Sequence, residues 1–414
     1  MVDTAVYLGA DELEASEEMK KAVEFEMRLA NISAPKAERR NTSLLYNPTT
    51  LGELTTGPNL PASWTKYVQD ILTFGDSKVD VDASEKIIVS DLQFYANLSK
   101  VLAEFDDRTK ANYMAWRVAG SSMTYLDKKA RDIKQKYAKA KTGQEVASVD
   151  WKRCGSSVGF NSLGSSNFVF AVSSMYARKY FPQNDKKDVV EMTRYLRQAF
   201  EQIVENIDWM DAATKQEARA KLDKMGQHIA YPDEFLDKNK VDEVFDNLFI
   251  SETDFLGNAI RITKHFYAYY AKQLREPVDP NDWREHKLVA VVNAFYNPAL
   301  NNFEFPAGIL QGTFYDSRVP KYLNFGGIGF IIGHEITHGF DDQGRQRNAK
   351  GELVDWWKPE TNEKFREKAQ CVIWQYGNYT VKQINQNVNG VNTQGENIAD
   401  NGGLKEAYLA YGKL

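Results

Sequence analysis

Apolar residues recur at helical spacing through most of the first 225 positions of the chain. Between residues 12 and 32 they fall three or four positions apart along one stripe: Ala22, Phe25, Leu29 and Ile32. This spacing places them on one face of an amphipathic helix. The same periodicity predicts helices within 84–137, 189–207 and 211–225. The first half of the chain is therefore predicted to be mainly helical.

The pattern changes at several points along the chain. Residues 41–63 and 142–167 are rich in Gly, Pro or Ser, which predicts loops. Helical spacing returns over 252–273. The stretches 288–296 and 303–310 then combine β-branched and aromatic residues, which favours strands. The fold class predicted from this pattern is α+β, with helix dominant.

The length of the chain predicts more than one domain. It has 414 residues, whereas a single hydrophobic core seldom serves more than ~250 to 300. The helical pattern is interrupted over 227–249, where Pro232 and several acidic residues occur. We therefore predict a large helical domain over 1–247 and a second domain, which contains the strands, over 248–414.

The charge composition bears on whether the protein binds nucleic acid. The chain has 52 Lys and Arg against 57 Asp and Glu, a net charge of −5. This balance argues against a protein that binds nucleic acid by neutralising phosphates. Aromatic residues are interleaved with lysines over 84–137, but their helical spacing favours a buried core over a base-stacking platform. No nucleic-acid partner is expected.

The cellular compartment is left open by the sequence pattern. No stretch approaches the ~20 apolar residues that cross a bilayer, and the first residues lack the features of a signal peptide, which by itself predicts a cytosolic protein. Four N-glycosylation sequons favour a secreted one instead: they begin at Asn31, Asn41, Asn97 and Asn378.

The strongest chemical signal is an H-E-x-x-H motif. His334 and His338 are four residues apart, so on a helix both imidazoles lie on one face and can reach the same metal ion. Glu335 follows the first histidine and places a carboxylate where a water molecule needs a base. The motif predicts a zinc peptidase. The alternative is a helix with two unconnected histidines, since chance yields the motif in on the order of one chain in a hundred.

A catalytic zinc site also needs a third protein ligand and keeps one position for water. Several side chains without a supporting motif stay open for this role: Cys371, His228, His265 and His286. Glu396 and Asp400 are better candidates, because a spacing of four places them on one helix face. One carboxylate can then bind the metal while the other accepts the spare N–H of a histidine ligand.

Several segments together resemble a known family. Residues 333–342, 396–403 and 292–296 are similar to the three signature segments of the neprilysin and endothelin-converting-enzyme family of zinc endopeptidases. Residues 305–310 and 353–357 agree with that family as well. Weaker similarity extends through the helical half, so the resemblance covers essentially the whole chain.

The resemblance implies a fold and a set of catalytic roles. The fold would be a thermolysin-like zinc-peptidase domain, with the large all-helical domain capping the active site and admitting only small peptides. One Zn²⁺ per chain would be held by His334, His338 and Glu396. Glu335 would be the general base, and Asp400 would accept a hydrogen bond from His334.

The resemblance also implies substrate contacts. Asn293 and Ala294 match the strand that binds an extended peptide. Four hydrophobic residues match positions that line the pocket for the side chain after the cleaved bond, which would favour hydrophobic residues there: Ile309, Phe314, Phe330 and Ile331. Core packing is the alternative for these four.

The chain also departs from the family pattern. Family members are longer, with a membrane anchor or signal sequence and a part beyond Leu414 that carries a transition-state-stabilising histidine and a carboxylate-binding arginine. We therefore expect an internal fragment in which Cys154 and Cys371 are unpaired. The expected location is extracellular or the cell surface, with membrane contact only through an anchor absent from this chain. Oligomeric state is left open.

The sequence is compatible with two functions. The first is a zinc-dependent endopeptidase that hydrolyses oligopeptides. The alternative is a catalytically silent protein that binds zinc and peptides but lacks the C-terminal residues that stabilise the transition state. Glu335 favours the enzyme, because a site that only binds metal and peptide has no need of a base.

Overall fold

The computed structural model describes residues 1–54, 60–61, 63–75, 77–158, 168–181 and 183–414. Part of the predicted loop 142–167, residues 159–167, lies outside this range. Helix dominates the described residues and strands are few, which confirms the predicted mainly helical α+β fold. Among the described residues, no helix is both long enough and apolar enough to span a membrane.

The helices follow one another along the described chain as α1 (Val2–Tyr7), α2 (Glu12–Asn31), α3 (Trp64–Thr73), α4 (Leu92–Glu104), α5 (Asp107–Ser122), α6 (Lys128–Thr142), α7 (Asp150–Val158), α8 (Val169–Tyr180), α9 (Gln183–Asn206), α10 (Ala212–Lys224), α11 (Lys238–Glu243), α12 (Phe255–Gln273), α13 (Lys321–Asn324), α14 (Phe330–His338), α15 (Pro359–Gly377) and α16 (Gly390–Tyr411). Aspartate side chains begin several of them: Asp11, Asp91, Asp106, Asp127, Asp211 and Asp254. Each accepts a hydrogen bond from an N–H of the first turn, which has no partner within the helix.

The strands are β1 (Asn47–Thr50), β2 (Lys86–Val89), β3 (Gly226–Ala230), β4 (Phe295–Asn297), β5 (Asn302–Pro306), β6 (Thr380–Val381) and β7 (Gln386–Asn387). They form two antiparallel pairs, β1 with β2 and β6 with β7, and a three-stranded sheet in the order β3-β5-β4. In that sheet β3 is parallel to β5, and β4 is antiparallel to it. β4 is therefore an edge strand.

The predicted strand 288–296 was wrong over most of its length. Only its last two residues belong to β4. Val289 and Val291 are buried without pairing in the sheet, and the Val289 carbonyl accepts a hydrogen bond from the Gly308 N–H at 3.0 Å. Their β-branched side chains reflect burial and not strand pairing. The predicted strand 303–310 likewise ends at Pro306.

Both predicted loops contain regular structure. Residues 41–63 include β1, and residues 142–167 include α7. Glycine, proline and serine marked interruptions of the helical pattern correctly, but short elements of four to nine residues fit between those interruptions.

The chain forms two compact units. Unit 1 comprises Met1–Pro35, Leu44–Gly155 and Asp246–Pro277, and unit 2 comprises Lys36–Ser43, Ser156–Phe245 and Val278–Leu414. One border lies close to the predicted boundary at 247/248, but a single boundary does not reproduce this division. Helical periodicity shows that a helix face is buried, and it does not show which segment buries it. The predicted first domain also contains β1, β2 and β3, so it is not all-helical.

Unit 2 is organised around α14, which packs against α16 and α9. A π-helical segment, Phe325–Gly329, leads into α14, and the side chains of Ile332 and Ile336 are fully buried. Glycines allow α14 and α16 to approach closely: a Cβ on Gly333 would lie 2.8 Å from the Cα of Gly403. This crossing brings the middle of α16 beside the two histidines of α14.

Candidate metal centre

The two motif histidines face the same point in space. His334 and His338 lie one turn apart on α14, and their Nε2 atoms are 2.9 Å apart. The predicted same-face arrangement is thus present. Both side chains are partly buried, at 15% and 16% exposure, so they lie at the wall of a cavity and not on an open surface.

α16 supplies the third side chain of the cluster. The Glu396 Oε2 atom lies 3.3 Å from His334 Nε2 and 3.4 Å from His338 Nε2. Each of these three side chains offers one possible ligand atom, and the three atoms lie within 4.8 Å of one another. Among the described residues, they form a cluster that could hold a metal ion. The two histidines lower the pKa of Glu396 below its usual range, which keeps it ionised.

The donor set fits a zinc ion. Bonds of about 2.0–2.1 Å to one tetrahedral ion separate its ligand atoms by about 3.3–3.4 Å. The two separations that involve Glu396 match this spacing, whereas the separation between the histidine nitrogens is shorter. Two histidines and one glutamate are also a donor set of catalytic zinc sites, which leave one position for water.

A carboxylate orients each histidine from behind. His334 Nδ1 lies 2.8 Å from Asp400 Oδ1, the contact that the family resemblance implied. His338 Nδ1 lies 2.8 Å from Asp341 Oδ2. A carboxylate accepts the N–H at Nδ1, so both Nε2 atoms are left to face Glu396 with their lone pairs.

Asp341 was not predicted from the sequence. It lies three residues after His338, but α14 ends at His338, so helical spacing does not place it. Its Oδ1 atom accepts hydrogen bonds from the N–H groups of Gln343 at 2.8 Å and Gly344 at 2.7 Å. The turn after α14 therefore folds around this carboxylate.

Arg40 also belongs to the surroundings of the site, although it is about 300 positions away in sequence. Its guanidinium donates two hydrogen bonds to Asp342, at 2.6 and 2.7 Å, and a third to the carbonyl of Asn392 at 3.0 Å. No local pattern in the sequence pointed to this contact.

Glu335 is buried beside the histidines, with 5% of its surface exposed. Burial raises the pKa of its carboxyl to about 7, although the nearby histidines His338 and His334 act in the opposite direction. A carboxyl group with a pKa near the working pH can both accept and release a proton.

A cavity of about 400 Å³ opens onto these groups. The predicted substrate residues Asn293 and Ala294 line it, together with Glu335, the two histidines and Glu396. The four predicted hydrophobic pocket residues are not among its described lining residues: Ile309, Phe314, Phe330 and Ile331. Ile309 is buried, and the Phe330 ring lies 6.3 Å from that of His334. Their role in specificity stays a prediction.

The other open candidates for the third ligand lie elsewhere. His265 is on α12 in unit 1, and Cys371 is exposed on α15. His228 and His286 stack on each other with ring centroids 3.3 Å apart. Cys154 and Cys371 are both free thiols in the structure.

Comparison with known proteins agrees with this geometry. Neprilysin-2 of Drosophila melanogaster is 44% identical over 99% of this chain and 53% of its own length. Human neprilysin is 35% identical over 98% of this chain and 54% of its own length. The chain thus spans about half the length of these curated relatives.

Solved structures show the same likeness. The Mycobacterium tuberculosis zinc metalloprotease Zmp1, solved in complex with an inhibitor, superposes with a TM-score of 0.86 at 30% identity. The match covers 98% of this chain and 59% of that one. Two sequence models of peptidase family M13 match residues 1–232 and 293–414. On these matches, the chain belongs to peptidase family M13.

Proposed function

We propose that this chain carries the catalytic centre of a zinc-dependent endopeptidase that hydrolyses oligopeptides. One observation carries the proposal: three metal-ligating side chains converge from two helices, and each histidine is oriented by its own carboxylate. Relatives named neprilysin, and a solved structure named as a zinc metalloprotease, support it.

In this proposal, His334, His338 and Glu396 hold one Zn²⁺. A zinc ion in such a site lowers the pKa of a coordinated water towards about 7 and polarises a peptide carbonyl. Glu335 accepts the proton of the attacking water on its carboxylate and delivers it to the leaving amine nitrogen. Asp400 keeps His334 in the tautomer and orientation that binding requires.

The substrate proposed is an extended peptide. Asn293 and Ala294 lie on the cavity wall directly before β4, and β4 is an edge strand of its sheet. An edge strand has unpaired backbone groups that an extended peptide can bond. A preference for hydrophobic residues after the cleaved bond is part of the proposal, and Phe330, next to His334, is its best-placed support.

The test is Glu335→Gln, compared with Glu363→Gln at an exposed position on α15. We expect both variants to bind one zinc ion per chain by elemental analysis. Loss of a general base lowers the reaction rate about 100- to 10,000-fold. Glu335→Gln should therefore cleave a quenched fluorescent peptide at least ~100-fold more slowly than Glu363→Gln.

Two outcomes would count against this proposal. Equal cleavage by the two variants would remove Glu335 as the base. Zinc binding by the unaltered chain without any cleavage would instead favour the catalytically silent zinc- and peptide-binding protein.

An extracellular or cell-surface location is proposed for the same chain. Three of the four sequon asparagines are exposed, namely Asn31, Asn41 and Asn378. Expression through a eukaryotic secretory pathway should therefore give a protein whose electrophoretic mobility increases after glycosidase treatment. Unchanged mobility would contradict the use of these sequons.

A further inference from the structure

The side chain of Lys221, on α10, is buried completely in unit 2. A buried ammonium group is unusual because its transfer out of water is costly unless it is fully hydrogen-bonded. Lys221 is not part of the proposed reaction. A structural role, set by the groups that surround its ammonium, is the alternative.

The Lys221 ammonium binds one short segment of chain through three carbonyl oxygens. Its Nζ atom donates to the carbonyls of Gly339 at 2.6 Å, Gly344 at 2.8 Å and Arg347 at 2.8 Å. A lysine ammonium has three N–H donors, so its donor capacity is filled. These acceptors all belong to residues 339–347, which we call the 339–347 turn.

The 339–347 turn begins directly after His338 and contains Asp341. Asp341 accepts the His338 Nδ1–H through one oxygen and two backbone N–H groups of the turn through the other. Gly344 takes part in both sets of bonds, because its N–H donates to Asp341 while its carbonyl accepts from Lys221. The ammonium and the carboxylate thus hold the same residue.

The 339–347 turn packs closely against the end of α14. A Cβ on Gly344 would lie 1.9 Å from the carbonyl oxygen of His338, so only glycine fits at this position.

Two aromatic rings also surround the Lys221 ammonium. The rings of Phe340 and Trp356 lie 5.4 and 5.7 Å from the Lys221 Nζ atom, within the range of cation–π attraction. Burial lowers the pKa of Lys221 to about 7, and the charge of Asp341 opposes that shift.

We infer that Lys221 is a positioning residue for the metal centre: by binding the 339–347 turn, it places Asp341 against His338. Without the ammonium, three carbonyls of the turn lose a buried hydrogen-bond partner, so the closed form of the turn is disfavoured. His338 then loses the acceptor that fixes its tautomer. The inference rests on the proposed zinc site, and it names a residue that acts through Asp341 and does not touch zinc or substrate.

The first test compares Lys221→Met with Lys224→Met in the full chain. Lys224 lies on the same helix and is exposed, and methionine removes the donors while keeping an unbranched side chain. Changes behind a histidine ligand typically weaken metal binding 10- to 100-fold. We expect that loss in the zinc dissociation constant of Lys221→Met, measured by chelator competition, and less than a twofold change in Lys224→Met. Unaltered zinc affinity in a folded Lys221→Met protein would overturn the inference.

A double-variant comparison tests whether Lys221 acts through Asp341. If it does, the Lys221→Met, Asp341→Asn double variant binds zinc no more weakly than the weaker of the two single variants. Independent losses that multiply in the double variant would show that Lys221 stabilises the site by another route, and would overturn the inference.

A readout without zinc separates this inference from the proposed function. Lys221→Gln keeps two N–H donors and serves where Lys221→Met fails to fold. In the metal-free protein, we expect the amides of Gln343 and Gly344 to exchange with deuterium faster in Lys221→Gln than in Lys224→Met. Equal exchange would overturn the role of Lys221. An unaltered chain that binds no zinc would refute the proposed function even where this exchange difference is found.

Discussion

At the scale of single residues, two carboxylates decide which nitrogen each histidine presents. Asp400 and Asp341 each bond an Nδ1 atom at 2.8 Å, which directs the Nε2 atoms of His334 and His338 towards Glu396. Metal ligands held in this way are already in the orientation that binding requires, so little ordering remains when the ion binds.

The sequence predicted a role for only one of these carboxylates, Asp400. Asp400 follows Glu396 by four residues on a continuous helix, and there a spacing of four fixes a shared face. Asp341 lies in a turn whose carbonyls accept hydrogen bonds from Lys221, more than a hundred positions earlier. Periodicity carries no information about contacts of that kind.

The pKa of another histidine, His228, is shifted by its surroundings. His228 stacks on His286, whose Nδ1 lies 3.4 Å from Glu304, and Asp279 and Lys186 are charges near His228. Burial and the charge of His286 lower the pKa of His228 to about 4. In the unfolded chain a histidine takes up its proton near pH ~6.5.

The difference between the folded and unfolded pKa of His228 makes the stability of the protein depend on pH. Between pH 6.5 and 4 the unfolded chain binds the His228 proton and the folded chain does not, so the free energy of unfolding falls as the pH falls through that window. His228→Phe keeps a ring that can stack but cannot titrate. In metal-free protein, urea unfolding at pH 7 and pH 5 should show a smaller loss for His228→Phe than for the unaltered chain. An equal loss in both would contradict this account.

At the scale of secondary-structure elements, the crossing of α14 and α16 builds the candidate metal centre. A Cβ on Gly403 would lie 2.6 Å from the backbone nitrogen of His334, so the two helices touch through backbone at this point. Their glycines set the distance at which Glu396 meets the histidines. The sequence predicted both helical motifs and their chemistry, but the depth of this crossing depends on packing between segments far apart in the chain.

The crossing can be tested with Gly403→Ala. The added methyl group must push α14 and α16 apart, and overpacking of this kind typically costs about 1–3 kcal/mol. We expect a lower free energy of unfolding in urea, together with weaker zinc binding. Gly412→Ala, near the end of the same helix, is the control, because its Cβ would meet its nearest neighbour at 3.5 Å. A Gly403→Ala protein as stable as the Gly412→Ala protein would contradict the close crossing.

Strands were predicted less well than helices for a physical reason. The run 288–296 is apolar and β-branched because Val289 and Val291 are buried, yet only its last two residues pair in the sheet. Burial and strand pairing favour the same residue types, so composition alone does not separate them. A long amphipathic helix such as α2 has its own period and was predicted to within a residue at its C-terminal end.

At the scale of the whole molecule, the chain enters unit 2 three times. Segments 36–43, 156–245 and 278–414 together form the unit that contains the candidate metal centre, and Arg40, Lys221 and the histidines each come from a different segment. A linear boundary at 247/248 divides these contributors. The capping role predicted for residues 1–247 stays a prediction.

Two imidazoles and one carboxylate are proposed to bind a single zinc ion, and X-ray absorption spectroscopy of the zinc-loaded protein detects these ligands directly. We expect nitrogen and oxygen atoms at about 2.0–2.2 Å from the zinc, with imidazole scattering that decreases in His338→Ala. A sulfur atom at about 2.3 Å, as Cys371 would supply, or a spectrum unchanged in His338→Ala, would contradict it.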